Sequence, residues 1–421
     1  MSQAHRAHGL KAAVVIGLGW LAVHGPAAGA EPITGTVPAD WPIDAPALVA
    51  VPVPKGRTTE AEPRLELRVE GDNRPARLVG QYEPPDDVGG IPGRVWFLWQ
   101  AEPQQRGRQV TLRLTGSNEP KPPAYRSRYD DPSLHVETPG GKPILSYWHG
   151  RPEPGNRYPI TSFIHPLIGL DGEVLTACQP DDHLHQRALF WAWVRHEVRG
   201  QPIGNWWQPT HIQADSAALT NSDGPIFSRF AARHFWVHVV EAGDRRERFI
   251  DERVVCRVFA TTPAGRAIDV DLTLTALADG VRIGGTVSGK KGYGGFTLRF
   301  GAAKDVKLEA DGKVIEKDNV NQLRAAWTAW NGRFVGPDGR PAAGRSGGAI
   351  FVHPSHPNHP PPWITRRYGP MGVAYPGLDM LDIPKNKPLR LRYRVWIHRG
   401  DATAGKAVAV HGSAGSREGI G

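Results

Sequence analysis

Residues 268–285 read IDVDLTLTALADGVRIGG, and this stretch decides the fold class of the chain. Apolar residues alternate with aspartate and threonine from Ile268 to Leu274, a period of two that predicts a β-strand with one buried face. The dipeptide Asp279-Gly280 then predicts a tight hairpin turn. Alternation resumes over residues 281–285 and predicts the returning strand of the hairpin.

The same alternation recurs in several short segments bounded by glycine and proline. They are Leu65–Val69, Val110–Leu114, Phe296–Phe300 and Leu389–Ile397. No long segment repeats with the period of a helix, and we predict at most short helical turns near residues 319–330. The chain is therefore predicted to be all-β, with a large antiparallel β-sandwich and a small N-terminal β-sandwich subdomain.

The N-terminus has the composition of a secretory signal peptide, predicted over residues 1–30. Two basic residues precede an apolar run, and Ala28-Gly29-Ala30 supplies small residues at the cleavage point. The apolar run is shorter than the ~20 residues that a membrane-spanning helix needs. We therefore expect a secreted or periplasmic protein with no transmembrane anchor after signal cleavage.

Composition divides the rest of the chain. The predicted segments are a lead-in with the small β-sandwich at 31–117, a Pro-rich hinge at 118–133, a large β-sandwich domain at 134–400 and a disordered Gly/Ala/Ser-rich tail at 401–421.

The charge and the tryptophan content bear on what the protein binds. The chain carries a net charge of +9, and loss of Arg6 and Lys11 with the signal peptide leaves +7, a balance that could favour acidic polysaccharides or a membrane surface. There is no dense run of lysine and arginine, so nucleic acid is not expected as a partner. The 14 tryptophans suggest contact with carbohydrate, or core packing. Cys178 and Cys256 could form one disulfide, which the sequence alone does not decide.

Residues 165–193, HPLIGLDGEVLTACQPDDHLHQRALFWAW, place imidazole and charged groups beside indoles, which is typical of a binding cleft. His183 and His185 would share one face of a strand. With Asp182 they could bind a divalent metal such as zinc; alternatively, they hydrogen-bond a substrate without metal. Arg187 could hold a carboxylate or phosphate, or form a structural ion pair.

Three more candidates lie in or near this stretch. His165 could act as a general acid or base, because its unperturbed pKa is ~6.5, or could be an ordinary turn histidine. Trp191 and Trp207 could each stack on a sugar. Trp207 follows another tryptophan, and adjacent residues of a strand face opposite ways, so one ring of this pair is expected in the core and the other at the surface.

Residues 353–369, HPSHPNHPPPWITRRYG, form a third candidate segment. Prolines hold such a loop rigid, which lowers the entropy cost of binding; the alternative is a Pro-stiffened edge with exposed histidines. We predict that the segment supplies His359 to catalysis. Its predicted substrate-binding residues are His353, Trp363, Arg366 and Tyr368.

These blocks resemble an exported bacterial family labelled PmoA-like, or "methane oxygenase PmoA". The first block matches at His165, Pro166, Leu167, Leu170, Asp171, Asp182, His183, His185, Arg187, Leu189, Phe190, Trp191 and Trp193. The second matches at His353, Pro354, Pro357, His359, Pro360, Pro362, Trp363, Arg366, Tyr368 and Gly369. Residues 291–295, KGYGG, also match, and the likeness covers about 135–400. Gln186 and Ala188 depart from the histidine and glycine usual in the family.

The resemblance implies an uncharacterised secreted β-protein with a supersandwich like those of sugar mutarotases and polysaccharide lyases. Methane oxidation does not follow from the label, because the true methane monooxygenase subunit spans the membrane many times and this chain has no spanning segment after its signal peptide.

From these observations we predict a secreted carbohydrate-active enzyme, a lyase or a hydrolase. The predicted catalytic residues are His165, Asp182, His183, His185 and His359. Elimination is favoured over hydrolysis, because hydrolysis normally needs two carboxylates and only Asp182 stands out. The alternatives are a non-catalytic glycan-binding protein and a metal-dependent oxidoreductase.

Overall fold

The computed structural model describes residues 13–14, 21–22, 33–37, 47–52, 63–85, 93–115, 121–151, 158, 160–240 and 245–402. The predicted signal peptide lies outside these residues apart from two short strands. The predicted tail lies outside them apart from residues 401–402.

The described chain separates into two compact units. One lies within Met1–Pro122 and includes Gly224–Ile226; the other comprises Pro123–Asp223 and Phe227–Val408. The strands of the first unit are β1 (Ala13–Val14), β2 (Leu21–Ala22), β3 (Ile33–Thr36), β4 (Ala47–Pro52), β5 (Arg64–Val69), β6 (Ala76–Glu83), β7 (Arg94–Trp99) and β8 (Gln109–Thr115), with a 3₁₀ helix at Pro103–Gln105.

The first unit contains a six-stranded sheet in the order β3-β8-β5-β6-β7-β4. Strand β6 pairs with β5 through its first half and with β7 through its second half. The change of partner falls at Gly80, where an added Cβ would lie 2.5 Å from Leu65 and 2.8 Å from the Pro63 carbonyl oxygen. Only glycine fits this crowded bend, which folds the sheet onto itself as a small sandwich. The strands predicted near Leu65 and Val110 are confirmed as β5 and β8.

The larger unit contains all the remaining strands and one 3₁₀ turn at Ser288–Lys290. The strands are β9 (Arg126–Asp130), β10 (Ser133–Glu137), β11 (Pro143–Trp148), β12 (Phe163–Leu167), β13 (Leu189–Ala192), β14 (Arg195–Val198), β15 (Gln201–Gly204), β16 (Ile212–Asp223), β17 (Phe227–Val240), β18 (Arg245–Phe259), β19 (Arg266–Ala276), β20 (Val281–Gly284), β21 (Gly295–Arg299), β22 (Ala303–Ala310), β23 (Lys313–Ile315), β24 (Asn319–Arg324), β25 (Trp327–Phe334), β26 (Ser346–Val352), β27 (Pro362–Arg366), β28 (Pro370–Val373), β29 (Met380–Ile383) and β30 (Leu389–Arg399).

Two nine-stranded antiparallel sheets dominate this unit. Their orders are β24-β27-β28-β21-β13-β12-β11-β10-β9 and β16-β17-β18-β19-β30-β26-β25-β22-β23, and a four-stranded sheet has the order β15-β14-β20-β29. The two large sheets pack face to face through aromatic side chains. The Phe296 and Tyr393 rings stack 4.2 Å apart, and those of Phe300 and Trp330 stack 4.6 Å apart. The predicted all-β class and large antiparallel sandwich are confirmed.

Two sequence-based expectations about this unit, a hairpin at Asp279-Gly280 and helical turns near 319–330, are wrong. Asp279-Gly280 does form a turn, with φ of +65° at Gly280, but β19 and β20 belong to different sheets and form no hairpin. Alternation identifies a strand without identifying its partner. The predicted hinge at 118–133 includes β9, which pairs with β10. The residues of β9 are mostly exposed. The strand therefore has no buried face that would produce an alternation of apolar and polar residues.

The predicted helical turns near 319–330 are strands instead, β24 and the start of β25. β24 lies at the edge of its sheet, and a bulge between Asn321 and Leu323 interrupts its pairing with β27. The bulge places an extra residue, Gln322, in the strand and so breaks the period of two.

Both cysteines are free thiols: Cys256 is buried, and Cys178 is partly buried. Across the described residues, no helix is long and apolar enough to cross a membrane.

Candidate functional site

The site begins with an ion pair between the loop that precedes β13 and the end of β21. Arg299 donates to both carboxylate oxygens of Asp182, at 2.9 and 2.8 Å. Arg299 is 5% exposed, and its other terminal nitrogen donates to the Tyr368 carbonyl oxygen. This one guanidinium therefore ties the 182–187 segment to the 366–369 turn. The sequence patterns did not identify Arg299, because it ends an otherwise apolar strand far from both segments.

Five aromatic side chains lie side by side above this ion pair. His183 stacks on Tyr368 with ring centroids 5.2 Å apart and packs edge-on against His185 at 5.7 Å. The His185 ring lies 6.4 Å from Trp207, and the Trp207 ring lies 5.1 Å from Tyr293. We call His183, His185, Trp207, Tyr293 and Tyr368 the five-ring cluster.

Exposure differs around the five-ring cluster in a way that suits a binding surface. Tyr368 is 46% exposed, and the His183 side chain is 34% exposed. Trp207 is 4% exposed and lies on Phe190 at 5.0 Å, so it supports the other rings from below. The Tyr368 ring lies between His183 and the Arg299 guanidinium, which is 5.0 Å from its centroid. The exposed parts of the His183 and Tyr368 rings are the surface that a ligand can cover.

The titratable groups of the site are held in defined states. Burial, together with the charges of His183 and Arg187, lowers the pKa of His185 to about 4, so this imidazole is neutral at pH 7. Partial burial acts to raise the pKa of Asp182, but the His183 hydrogen bond and the Arg299 charge outweigh it and leave that pKa below its ordinary value. Burial raises the pKa of Tyr368, which keeps its phenol protonated.

Polar atoms also border the five-ring cluster. The Asp182 carboxylate lies 3.0 Å from Nδ1 of His183, and the Gln208 amide nitrogen lies 3.3 Å from Nδ1 of His185. These groups can orient hydroxyl groups of a ligand held against the rings.

The predicted role of Arg187 in substrate binding is wrong, because its side chain is fully buried. Its guanidinium lies 4.4 Å from the Trp206 ring centroid and donates to the Trp206 carbonyl oxygen. Burial lowers the pKa of Arg187 to about 9. Arg187 therefore fixes the backbone that presents Trp207 and does not meet a ligand.

The predicted sugar-stacking roles of Trp191 and Trp363 are also wrong. Trp191 is 1% exposed and lies parallel to Phe296 in the core, with ring centroids 6.1 Å apart. Trp363 is fully buried, and its indole N–H donates to the Ala325 carbonyl oxygen at 2.7 Å. Both residues lie on strands inside the sandwich, where burial of their apolar rings stabilises the fold.

Arg366 is a structural residue instead of the predicted anion-binding one. Its guanidinium donates to the Val320 carbonyl oxygen at 2.6 Å and to Oδ1 of Asn321 at 2.5 Å. A third hydrogen bond goes to the carbonyl oxygen of Thr365. These bonds join β27 to the edge strand β24. They occupy N–H groups of the guanidinium that an anionic ligand would need.

The loop histidines lie away from the five-ring cluster. His353 is held by Ser355 at 2.8 Å and by Arg392 at 2.7 Å, and burial with the Arg392 charge lowers its pKa to about 3. Burial also lowers the pKa of His359. No contact within the described residues joins His353 or His359 to His183 or His185. The predicted roles of His353 in substrate binding and of His359 in catalysis stay predictions.

His165 lies behind the site. Its Nδ1 lies 3.0 Å from Oγ1 of Thr176, and burial lowers its pKa to about 4. Thr176 bridges to Phe300, the residue after Arg299. His165 therefore supports the backbone around the ion pair, and its predicted catalytic role stays a prediction.

The residues present do not form a metal site of the predicted kind. Within the part of the chain that the structure describes, no group of three or more histidine, cysteine, aspartate or glutamate side chains is placed to hold a metal ion. Asp182, the third ligand expected beside His183 and His185, is committed to Arg299. A divalent metal stays a prediction.

A second polar cluster lies inside the sandwich. Glu252 is fully buried, accepts a hydrogen bond from Nε1 of Trp236 at 2.8 Å and contacts the hydroxyl group of Ser162. His234, also fully buried, has Nδ1 at 3.4 Å from the same carboxylate. Nε2 of His234 lies 3.0 Å from the His149 carbonyl oxygen. Because these groups are enclosed by the core, their partners are other groups of the protein instead of a ligand.

Comparison with known proteins gives three findings. A family model described as "Family of unknown function (DUF6807)" matches residues 136–411. No curated protein matches the chain. A solved structure described as a "putative aldose 1-epimerase" from Klebsiella pneumoniae subsp. pneumoniae MGH 78578 is 11% identical, and the match covers 84% of this chain and 97% of that chain with a TM-score of 0.32.

At that TM-score the structural likeness carries no argument about this chain. The family match carries no PmoA label, so the resemblance to PmoA-like proteins stays a prediction. Because the family model covers more than half of the sequence, the chain belongs to the family of unknown function DUF6807.

Proposed function

We propose that the five-ring cluster binds a carbohydrate and that the protein is a carbohydrate-active enzyme acting outside the cytoplasm. The observation that carries the proposal is the half-exposed, stacked pair of His183 and Tyr368 above the Asp182–Arg299 ion pair. Sugars present apolar C–H groups and a rim of hydroxyl groups, and the cluster offers partly exposed aromatic rings bordered by hydrogen-bonding groups.

Elimination is the reaction that these residues support best. It removes a hydrogen from the carbon beside a uronate carboxyl group, breaks the C–O bond to the leaving sugar and forms a C=C bond. His185 is neutral at pH 7 and can accept the proton, and Tyr368 stays protonated and can donate one to the leaving oxygen. Hydrolysis normally uses two carboxylates roughly 5–9.5 Å apart, whereas the cluster holds Asp182 alone.

The test is turnover of uronate oligosaccharides, followed by the ultraviolet absorbance of the new double bond. His185→Asn should lower turnover by about 10²-fold or more while binding persists. His211→Asn is the control, since His211 is exposed and outside the cluster. Equal turnover by both variants and the wild type would remove His185 from the proposed mechanism.

A non-catalytic glycan-binding protein is the second candidate. One observation favours it: Asp182 and Arg299 satisfy each other, which leaves no charged group of the pair free for chemistry. Binding of glycans that is lost in Tyr368→Ala, without turnover of any of them, would support this candidate. A metal-dependent oxidoreductase rests on the PmoA-like label alone and stays a prediction.

A further inference from the structure

A cleft opens at one end of the large sandwich, beside the five-ring cluster. It has a volume of about 750 Å³ and is lined by residues 310–311, 313–317 and 319–325. It lies between β23 and β24, which are the edge strands of the two nine-stranded sheets. We call it the edge cleft. Its size falls within the range of about 300–1,000 Å³ that ligand sites usually occupy.

Two residues that line the edge cleft, Val320 and Gln322, hydrogen-bond to the two segments that carry Tyr368 and Tyr293. On one side, the Gln322 amide donates to the Lys291 carbonyl oxygen at 2.8 Å, two residues before Tyr293. On the other side, Arg366 donates to Val320, two residues before Tyr368 in its own segment. The strand that lines the cleft therefore holds the two segments that present the tyrosines.

The bulge in β24 builds one of these links. Gln322 is the extra residue at the bulge and has φ of +58°. A bulge redirects a side chain away from its regular place on the strand. Here the Gln322 side chain reaches the 291–293 loop, where it donates to the Lys291 carbonyl oxygen.

The charge of the edge cleft favours an anionic ligand. Lys313, Lys317 and Arg324 line it, opposed by Asp311 and Glu316. The Asp311 carboxylate already accepts hydrogen bonds from the backbone amides of Ala326 and Trp327. In the described chain, Lys313 and Lys317 take part in no ion pair. The cleft thus presents more unpaired positive charge than negative charge.

We infer that the edge cleft is a subsite for the anionic sugar units of an oligouronate whose reacting unit lies on the five-ring cluster. The inference rests on the proposed carbohydrate function and makes the ligand an acidic polymer of several units. It also supplies the positive charge that the five-ring cluster lacks, because Arg299 is neutralised by Asp182 and Arg187 is buried. An extended peptide pairing with the strand edges fits less well, since β23 has three residues and β24 is bulged.

The experiment measures calorimetric affinities of the full chain for di- and hexasaccharides of uronates from pectate, alginate and hyaluronan. We expect the best hexasaccharide to bind the wild type at least 10-fold more tightly than its disaccharide. The double variant Lys313→Glu with Lys317→Glu should lose that advantage and leave disaccharide binding unchanged. The control is Lys142→Glu with Lys387→Glu, two exposed lysines outside the cleft, which should bind as the wild type.

Three results would overturn the inference. Hexasaccharide binding that is unchanged in the cleft variant but lost in Tyr368→Ala would keep the proposed function and remove the edge cleft from it. If neutral oligosaccharides, titrated alongside, are the only saccharides that bind, the inference and the proposed elimination are both overturned and only carbohydrate binding remains. Binding of extended peptides but of no saccharide would overturn both proposals in favour of strand pairing.

Discussion

Substitution of Tyr368 by alanine tests the five-ring cluster most sharply. A tyrosine side chain presents roughly 200 Å², and Tyr368 is 46% exposed, so a ligand that covers the exposed part would bury about 90 Å². At ~25 cal/mol per Å² this area contributes about 2 kcal/mol, which corresponds to a loss of roughly 30-fold in affinity.

Tyr129→Ala is the matched control, because Tyr129 is 47% exposed on the edge strand β9 and bonds only to Asp131 nearby. Its variant should bind carbohydrate within about twofold of the wild type. Tyr368→Ala also loses the stack on His183, worth about 1 kcal/mol, so thermal unfolding is measured in parallel. Calorimetric affinities that are equal for the two variants, with both folded, would refute the assignment of the site.

Four further predictions concern the Asp182–Arg299 ion pair, the buried histidines and the two cysteines. Asp182→Asn should lower stability by about 1–2 kcal/mol, since it leaves the buried Arg299 without its carboxylate; Asp171→Asn, which breaks the exposed pair with Arg399, should cost less than about 0.5 kcal/mol in the same denaturant titration. Stability should fall as pH drops from about 6.5 towards 4, because burial lowers the pKa of several histidines and the unfolded chain then binds protons that the folded chain does not. Replacing the fully buried His196 by phenylalanine should reduce that slope by up to ~1.4 kcal/mol per pH unit, and an unchanged slope would contradict the cause given. Thiol titration of denatured protein without reductant should find both Cys178 and Cys256 reactive, and a titration that finds neither would contradict the structure.

Period-two alternation identified the strands that have one buried face. The segments at 268–274 and 389–397 lie in the middle of a nine-stranded sheet, where alternation is enforced by the core, and both were predicted. β9 and β24 lie at sheet edges and are largely exposed, so nothing in their sequences selects one face. Partner choice was not predictable either, as the separation of β19 from β20 shows.

The candidate site was predictable where the side chains are polar and local in sequence. Asp182, His183 and His185 were predicted together, and Tyr368 was predicted from a segment more than 180 residues away. Trp191 and Trp363 were misassigned, because the sequence does not distinguish a tryptophan of a binding site from a tryptophan of the core. Arg187 and Arg366 were misassigned because carbonyl oxygens that accept from a guanidinium leave no trace in the sequence.

The central claim is that the five-ring cluster is where a carbohydrate binds. A crystal structure of the chain with its tightest-binding oligouronate tests this most directly. We predict a sugar ring within ~4.5 Å of Tyr368 and His183, with the following units extending along the edge cleft. A sugar bound elsewhere on the molecule, with the Tyr368 and His183 rings left uncovered, would contradict the claim.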